Sequence, residues 1–493
     1  MINKSIWLKG IKPKKGNSLK EDIETDLLII GGGMTGITTA YFLQDKNLDV
    51  TLVEQNTIAS GQSSKTTGKL TYLQGTILDK IKNVYDEDTV IKYIESQKEA
   101  IEIVKNIIIQ NNIKCDFESN NSYIFSSKKV NIDKINNIRN ILDKGNYKYK
   151  IAENIPIKFP SKLSLKVDDT AVFNPVKYLL GIKEVIKDKI NIYENTRILN
   201  VELDNNNYIA TTNKNIIKAK KVVFACHYPF FLFPYLFPFR SSIKKGYLCA
   251  SLIDKTKRFN AINEDDTVHS IRYHSDNKNY IIYSSEERNL GQNTNDTKNY
   301  NNLLWKMKSK LSENVKYYWF NTDIVTTDNL PIIGFLEEDN KNLLIGTGYN
   351  LWGMTNGTIA GKILSDLILG NKNKYEELFN PNRTFNINKL KNYVSYNFSN
   401  SFSFIKSKLN KNYPFYKNVE IIEKNNKKYG KYTDEDGNVY IVSNTCPHMK
   451  CSLIFNMVDK TWDCPCHSSR FDIKGNVIKG PSVYSISVDK NEF

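Results

Sequence analysis

Two short cysteine–histidine clusters, Cys446-Pro447-His448 and Cys464-Pro465-Cys466-His467, constrain this chain more than any other feature. Each supplies one thiolate and one imidazole. Four such ligands suit a [2Fe–2S] centre with two thiolates on one iron and two neutral imidazoles on the other, an exchange that raises the potential. Zinc is the rival, since two cysteines and two histidines are also a zinc set. Zinc fingers pair cysteine with cysteine and histidine with histidine, whereas each cluster here is mixed, so ligand type and order favour iron–sulfur. The candidate ligands are Cys446, His448, Cys464 and His467.

The arrangement resembles the Rieske proteins of respiratory and photosynthetic cytochrome complexes. That resemblance implies the same four ligands with both histidines facing solvent, a Cys451–Cys466 disulfide, and a covering loop at Gly480-Pro481-Ser482. One departure stands out in His467-Ser468-Ser469-Arg470-Phe471: Rieske domains of the highest potential commonly carry tyrosine where this chain has Phe471. Hydrogen bonds to the cluster stabilise its reduced state, so losing one lowers the potential. A midpoint below that of the respiratory proteins is expected.

At the other end, an apolar strand from Leu27 to Ile30 runs into Gly31-x-Gly33-x-x-Gly36, a helical stretch follows through Leu43, and a second strand, Val50 to Val53, ends at Glu54. Strand, glycine turn, helix and an acid about twenty residues on form the dinucleotide fingerprint. Gly31 permits the tight turn, Gly33 lets the backbone approach a pyrophosphate, and Gly36 lets helix and strand pack closely. The helix N-terminus offers donors to the phosphates, and Glu54 would hold a ribose. An ordinary strand–turn–helix is the bland alternative for the glycines alone, and the fingerprint does not separate FAD from NAD.

Three further segments resemble FAD enzymes of the D-amino-acid oxidase and glycine oxidase superfamily: residues 59–71 with Thr66, Thr67, Lys69 and Leu70; Thr327-Asp328-Asn329-Leu330-Pro331-Ile332-Ile333-Gly334; and residues 346–357, which open a helix ending near Gly370. The whole chain is similar to bacterial FAD-dependent oxidoreductases with a C-terminal Rieske domain, including Phe173-Asn174-Pro175 and Thr461-Trp462-Asp463-Cys464. The resemblance implies flavin contacts at Gly31, Gly33, Thr35, Gly36, Glu54, Thr66, Thr67, Lys69, Leu70, Ile198, Gly353, Met354 and Thr355. It also places the N-terminus of that last helix where it favours negative charge on the reduced ring. Many relatives have histidine where this chain has Lys65, and some distant amine dehydrogenases attach their flavin through a histidine in this region. Lysine cannot form that bond, so acid precipitation is expected to release FAD into the supernatant; flavin retained in the pellet would refute it.

The expected architecture is an α/β, Rossmann-like FAD-binding domain of the glutathione-reductase type, interleaved with an α+β substrate domain and followed by a small all-β Rieske domain. The oxidoreductase would span residues 1–380, with the FAD part near 1–80, 165–228 and 321–380 and the substrate part near 81–164 and 229–320. A polar linker follows at 381–412, then the Rieske domain at 413–493. Strands are expected at Gly246–Leu252, Ser270–His274 and Tyr280–Ser284 from their alternating or β-branched character. The aromatic, proline-bearing run Tyr228–Phe239 cannot be a regular helix. It reads as a loop over the flavin domain or, more sharply, as a docking surface for a membrane or partner.

The 493 residues allow about three domains. The net charge of +16 comes with lysine spread throughout and without a recognisable nucleic-acid motif, which argues against nucleic-acid binding and for a solvated surface that attracts an acidic redox partner. The chain has no run of about eighteen apolar residues and no apolar core for a signal peptide near Met1, so a cytoplasmic location without a transmembrane segment is expected, peripheral membrane contact aside. Of seven cysteines, Cys115, Cys226 and Cys249 lie outside the clusters and read as small core residues. The cytosol disfavours structural disulfides, so a Cys451–Cys466 bond rests on the Rieske analogy and on shielding by the fold.

Flavins take two electrons and a [2Fe–2S] centre passes them singly, so the resemblance implies a dehydrogenase acting on a small amine or amino acid. It would pass electrons from FAD through the cluster to an external protein or quinone. Arg272 is the candidate for holding a carboxylate, against a surface ion pair, and Tyr349 and Trp352 are candidates for walling the pocket. The alternatives are an electron-transfer reductase fed by NAD(P)H or ferredoxin, and a nonenzymatic redox sensor. A Rieske oxygenase is excluded, because outside the clusters only His227, His269 and His274 remain and no helical His-x-x-x-His occurs.

Overall fold

A computed structural model describes residues 1–11, 16–152, 154–157, 159–230, 237–263, 265, 267–290, 295–384 and 416–488. Most of the expected linker, from residue 385 on, and the middle of the aromatic run, residues 231–236, lie outside the described residues.

The glycine fingerprint opens an eight-stranded sheet ordered Ile332–Phe335, Leu343–Thr347, Ile216–Phe224, Ile23–Ile30, Val50–Val53 and Asn191–Tyr193, with the hairpin of Asn200–Asp204 and Asn207–Thr211 on one side. All neighbours on this path are parallel except the first pair. Leu27, Leu28 and Ile29 are fully buried, as a parallel strand covered on both faces requires. The helix Met34–Leu43 packs on the helix Gly353–Ile368, and a Cβ on Gly361 would lie 2.6 Å from Thr38 Cβ, so small residues allow the close approach.

A second, ten-stranded sheet runs through Ile2–Asn3, Val315–Thr326, Ser241–Leu252, Asn279–Asn289, His269–Ser275, Phe259–Asn263, Glu118–Ser126, Leu163–Val172 and Lys69–Leu70, with Lys150–Ala152 paired to Leu163–Val172 off this path. The three strands expected here are present and pair antiparallel. Two segments expected on the flavin side, Lys69–Leu70 and Leu163–Val172, pair in this sheet instead, and Val315–Thr326 runs on past the expected break at 320. Hydrogen-bonded neighbours, rather than position in the chain, decide which sheet a crossing segment joins.

After residue 415 come a three-stranded sheet, Val419–Lys424, Lys427–Thr433 and Val439–Ser443, and a four-stranded one, Ile454–Asn456, Thr461–Asp463, Arg470–Phe471 and Val477–Lys479. The turns 434–437 and 472–475 sit where expected; each closes on a glycine of positive φ, Gly437 at 85° and Gly475 at 89°. Trp462 fills the small core against Phe455 and lies so close to Gly430 that a Cβ there would come within 2.3 Å of its ring. Among the described residues no helix is long and apolar enough to cross a membrane.

Arg383, at the end of the flavin-binding part, pins the chain. Its guanidinium donates twice to Asp328, at 2.7 and 2.9 Å, and also to the Leu330, Pro331 and Phe379 carbonyls. Burial alone would raise the Asp328 carboxyl, but Arg383 and the Tyr85 hydroxyl outweigh it and hold it below the usual range. A lowered folded-state value stabilises the fold above the ordinary carboxylate pKa and is lost as pH falls through the lowered one. Arg383→Ala, which strands a buried carboxylate, is expected to cost about 3–5 kcal/mol. A drop in the thermal midpoint at pH 7 that shrinks on acidification checks this.

Candidate active site

The strand Ile23–Ile30 ends at Gly31, whose φ of +118° makes the sharp turn, and the helix after Gly33 begins without a side-chain cap. Met34 N–H donates to Ser63 Oγ at 3.2 Å, and the Thr35 and Gly36 N–H groups that follow are left for a ligand. A Cβ on Gly33 would meet only Ser63 Oγ, at 3.3 Å, whereas a Cβ on Gly36 would sit 1.9 Å from the Gly31 carbonyl oxygen. Gly33 thus leaves room beside the turn, and Gly36 sets the contact between helix and strand. Glu54 accepts N–H bonds from Gly32 (2.8 Å) and Asn56 (2.9 Å); burial pushes its carboxyl up, with the bonded amides and Arg197 opposing.

These groups line a cavity of about 580 Å³, within the range of cofactor sites. It gathers Gly31, Gly33, Thr35, Glu54, Thr66, Ile198, Tyr349, Gly353 and Met354 from the expected set. Gln62 Oε1, Arg197 Nε, His227 Nε2 and Asn321 Oδ1 belong to its lining residues and are buried without a protein partner. Orphaned buried polar atoms are costly, and so many around one space fit a large polar ligand. FAD fits here.

The rest of the expected set supports the cavity from behind. Lys69 Nζ donates to the Ala261 carbonyl and Ser270 Oγ, Leu70 is fully buried, and Thr355 Oγ1 accepts from Gln74. Thr67 gives its carbonyl to Arg272, and Trp352 caps the helix Gly353–Ile368. Arg272 needs correction as a carboxylate holder. Among the described residues lining the cavity it does not occur; it donates to the Thr67 and Gly68 carbonyls, at 2.5 and 2.9 Å, and its guanidinium lies 4.7 Å from the Trp7 ring. Its strand is buried on both faces from His269 to His274, and the side chain braces the turn at Gly68.

At the other end, Cys446 and Cys464 are buried, and the His448 and His467 rings stand 5.0 Å apart. His448 Nδ1 and Nε2 and His467 Nδ1 are buried with no hydrogen-bond partner, as nitrogens awaiting a metal would be. Cys451 and Cys466 are disulfide-bonded, and the Gly480-Pro481-Ser482 loop is tied in by Ser482 N–H donating to Ser469 Oγ at 2.9 Å. The donor set fits a [2Fe–2S] cluster.

The histidines are half-buried and packed against another part of the chain, where open solvent was expected. Tyr228, just past the strand Ile216–Phe224, lies with its ring 5.4 Å from His467 and 6.4 Å from His448. Tyr228 also lines the large cavity, as do Val477, Ile478, Lys479, Gly480 and Pro481 from the last β unit. That unit docks through Arg197 Nη2 to the Val477 carbonyl (3.0 Å), the Arg470 guanidinium over Phe320 (4.5 Å) and Asn3 to Asp459 (2.6 Å). The docking turns both ligand loops inward.

Residues 26–367 match the FAD dependent oxidoreductase family, DAO, and residues 407–488 match the Rieske [2Fe-2S] domain. The chain belongs to the DAO family of FAD-dependent oxidoreductases. It carries FAD and, on its Rieske domain, a [2Fe–2S] cluster. It is similar to YhfW of Bacillus subtilis (strain 168), named as a Rieske 2Fe-2S iron-sulfur protein: 31% identical over 477 residues, covering 94% of this chain and 93% of YhfW. It is also similar to the gamma-glutamylputrescine oxidoreductase of Escherichia coli (strain K12), 21% identical over 393 residues and covering 74% of this chain and 88% of that enzyme. The fold is that of the glycine oxidase from Bacillus cereus ATCC 14579, with a TM-score of 0.59 at 18% identity over 71% of this chain and 96% of that one.

Within this oxidoreductase, sequence reasoning missed Tyr228 as a contact of the histidines, and missed Asp323 and Lys479 in the cavity altogether. The aromatic run was the signal for Tyr228. A lone lysine near the end of a β domain and an aspartate in a strand carry none. Phe471 is fully buried beside the cluster loops, its neighbour Arg470 engaged with Asp463. Phe471→Tyr is expected to raise the cluster midpoint in a potentiometric titration; an unmoved midpoint would count against the hydrogen-bond argument.

Proposed function

We propose that this oxidoreductase is a dehydrogenase that oxidises a small amine or amino acid at its C–N bond and passes the electrons through the Rieske cluster to an external protein or quinone. The observation that carries the reading is Tyr228, which walls the flavin cavity on one side and rests against both histidine rings on the other. Bound FAD supplies two-electron oxidation of the substrate C–H bond, and the cluster supplies one-electron release. Gly353 and Met354 present a helix N-terminus to the cavity, where its partial positive charge favours negative charge gained on reduction. Val477 to Pro481 of the docked Rieske domain wall one side of the cavity, and the imine product hydrolyses in water. The reading places the protein in the cytoplasm.

Anaerobic mixing with a panel of amines and amino acids tests this. The expected result is flavin bleaching followed by the EPR signal of a reduced Rieske cluster. Rapid bleaching by NADPH alone, or bleaching that never brings up the cluster signal, overturns it.

A further inference from the structure

We infer that the substrate pocket is completed by the Rieske domain, with Lys479 holding a carboxylate and Asp323 an ammonium, so that the ligand is an amino acid bound as a zwitterion. The inference rests on the oxidation reading above and goes further, to the chemistry of recognition and to which domain supplies it.

Lys479 ends the Rieske strand Val477–Lys479, Asp323 lies on the strand Val315–Thr326 of the ten-stranded sheet, and both line the flavin cavity with Lys65 and Tyr349. Their charges are unmatched. Among the described residues no carboxylate lies within ion-pairing distance of Lys479 or Lys65. Lys479 donates to two neutral hydroxyls, Thr322 Oγ1 and Ser468 Oγ, which leaves one of its three donors free. Asp323 accepts from the Ile324 N–H at 2.8 Å, which leaves most of its acceptor capacity unused. A half-buried cation and a half-buried anion that share one space without touching are each left incompletely satisfied, and a ligand carrying both charges satisfies both.

The FAD pyrophosphate does not account for them, since the glycine turn and the open helix N-terminus already provide its donors. Nor does Arg272 share their space, since it is absent from the described lining of the cavity. The electrostatic environment agrees with an unpaired state: burial pushes the Asp323 carboxyl up to about 7, with Lys479 opposing, and pushes the Lys479 ammonium down. A carboxyl poised there can also take the proton that an ammonium must lose before its carbon gives up hydride. In that step the substrate nitrogen loses a proton to Asp323, and the substrate carbon then loses two electrons with its hydrogen to FAD.

Because Lys479 comes from the Rieske domain while Thr322 and Asp323 do not, ligand binding and docking of the histidines against Tyr228 become one event. A ligand that carries only one of the two charges leaves the other side chain unpaired, so it should bind more weakly than one that carries both.

The test uses the full-length protein loaded with FAD and cluster, titrated with propionate, propylamine and alanine while the flavin absorbance bands are followed. Propionate and alanine are expected to perturb the bands, and propylamine only at far higher concentration. Lys479→Met should weaken propionate binding by about tenfold or more, Lys479→Arg should restore it, and Asp323→Asn should weaken alanine but spare propionate. Propionate binding unchanged in Lys479→Met, or propylamine binding as well as alanine, overturns the inference. The two readings fail separately. If no amine or amino acid bleaches the flavin while propionate binding still depends on Lys479, the oxidation reading falls and the pocket stands. If amines bleach it with propionate binding indifferent to Lys479, the pocket falls and oxidation stands.

Discussion

With Tyr228 replaced by leucine, the reduced-cluster EPR signal is expected to trail flavin bleaching by about tenfold more than in the unaltered protein, since small losses of placement at such a contact are expensive. The ring fills the space between the flavin cavity and both histidines, and no second aromatic among the described residues makes ring contacts with both. Leucine keeps the bulk apolar but shortens the side chain and removes the π surface. Tyr228→Phe retains the ring and should restore most of the rate, which separates a ring effect from a hydroxyl effect. Photoreduction with deazariboflavin makes the experiment independent of the true substrate. Equal rates in the leucine variant would show that electrons enter the cluster by another face, and an unchanged visible spectrum would confirm that the variant still holds its cluster.

Gly36→Ala should have the other large effect. The added methyl would fall 1.9 Å from the Gly31 carbonyl oxygen and 3.3 Å from Ile29, and the first of these is backbone at the centre of the sheet. The helix Met34–Leu43 must lift off the strand, at a cost of about 1–3 kcal/mol, and its N-terminus moves away from the position that receives the pyrophosphate. FAD content per chain in the purified variant is expected to fall sharply, with a lower thermal midpoint. Gly246→Ala is the control, since a Cβ there meets nothing within 4 Å and the residue lies outside the cavity lining. A Gly36→Ala protein that keeps full FAD content would mean the helix can slide without loss.

How much of the site was legible depended on how local its physics is. The glycine turn is visible because a positive φ at Gly31 and a contact distance at Gly36 can be met by few residues other than glycine. The ligand clusters are visible because thiolates and imidazoles at close spacing have few other uses. Arg272 misled because a guanidinium suits a carboxylate and a set of backbone carbonyls equally well, and only its neighbours decide between them.

The amino-acid order alone determined a dinucleotide-binding strand–turn–helix, a mixed thiolate–imidazole centre and the strands between them, since each follows from residues near one another in the chain. Tertiary structure decided the rest: which sheet Leu163–Val172 joins, that His448 and His467 turn inward onto Tyr228, and that Lys479 meets the space lined by Asp323. These are contacts between segments distant in the chain, set by how one folded surface fits another, and no local pattern of side chains encodes that fit.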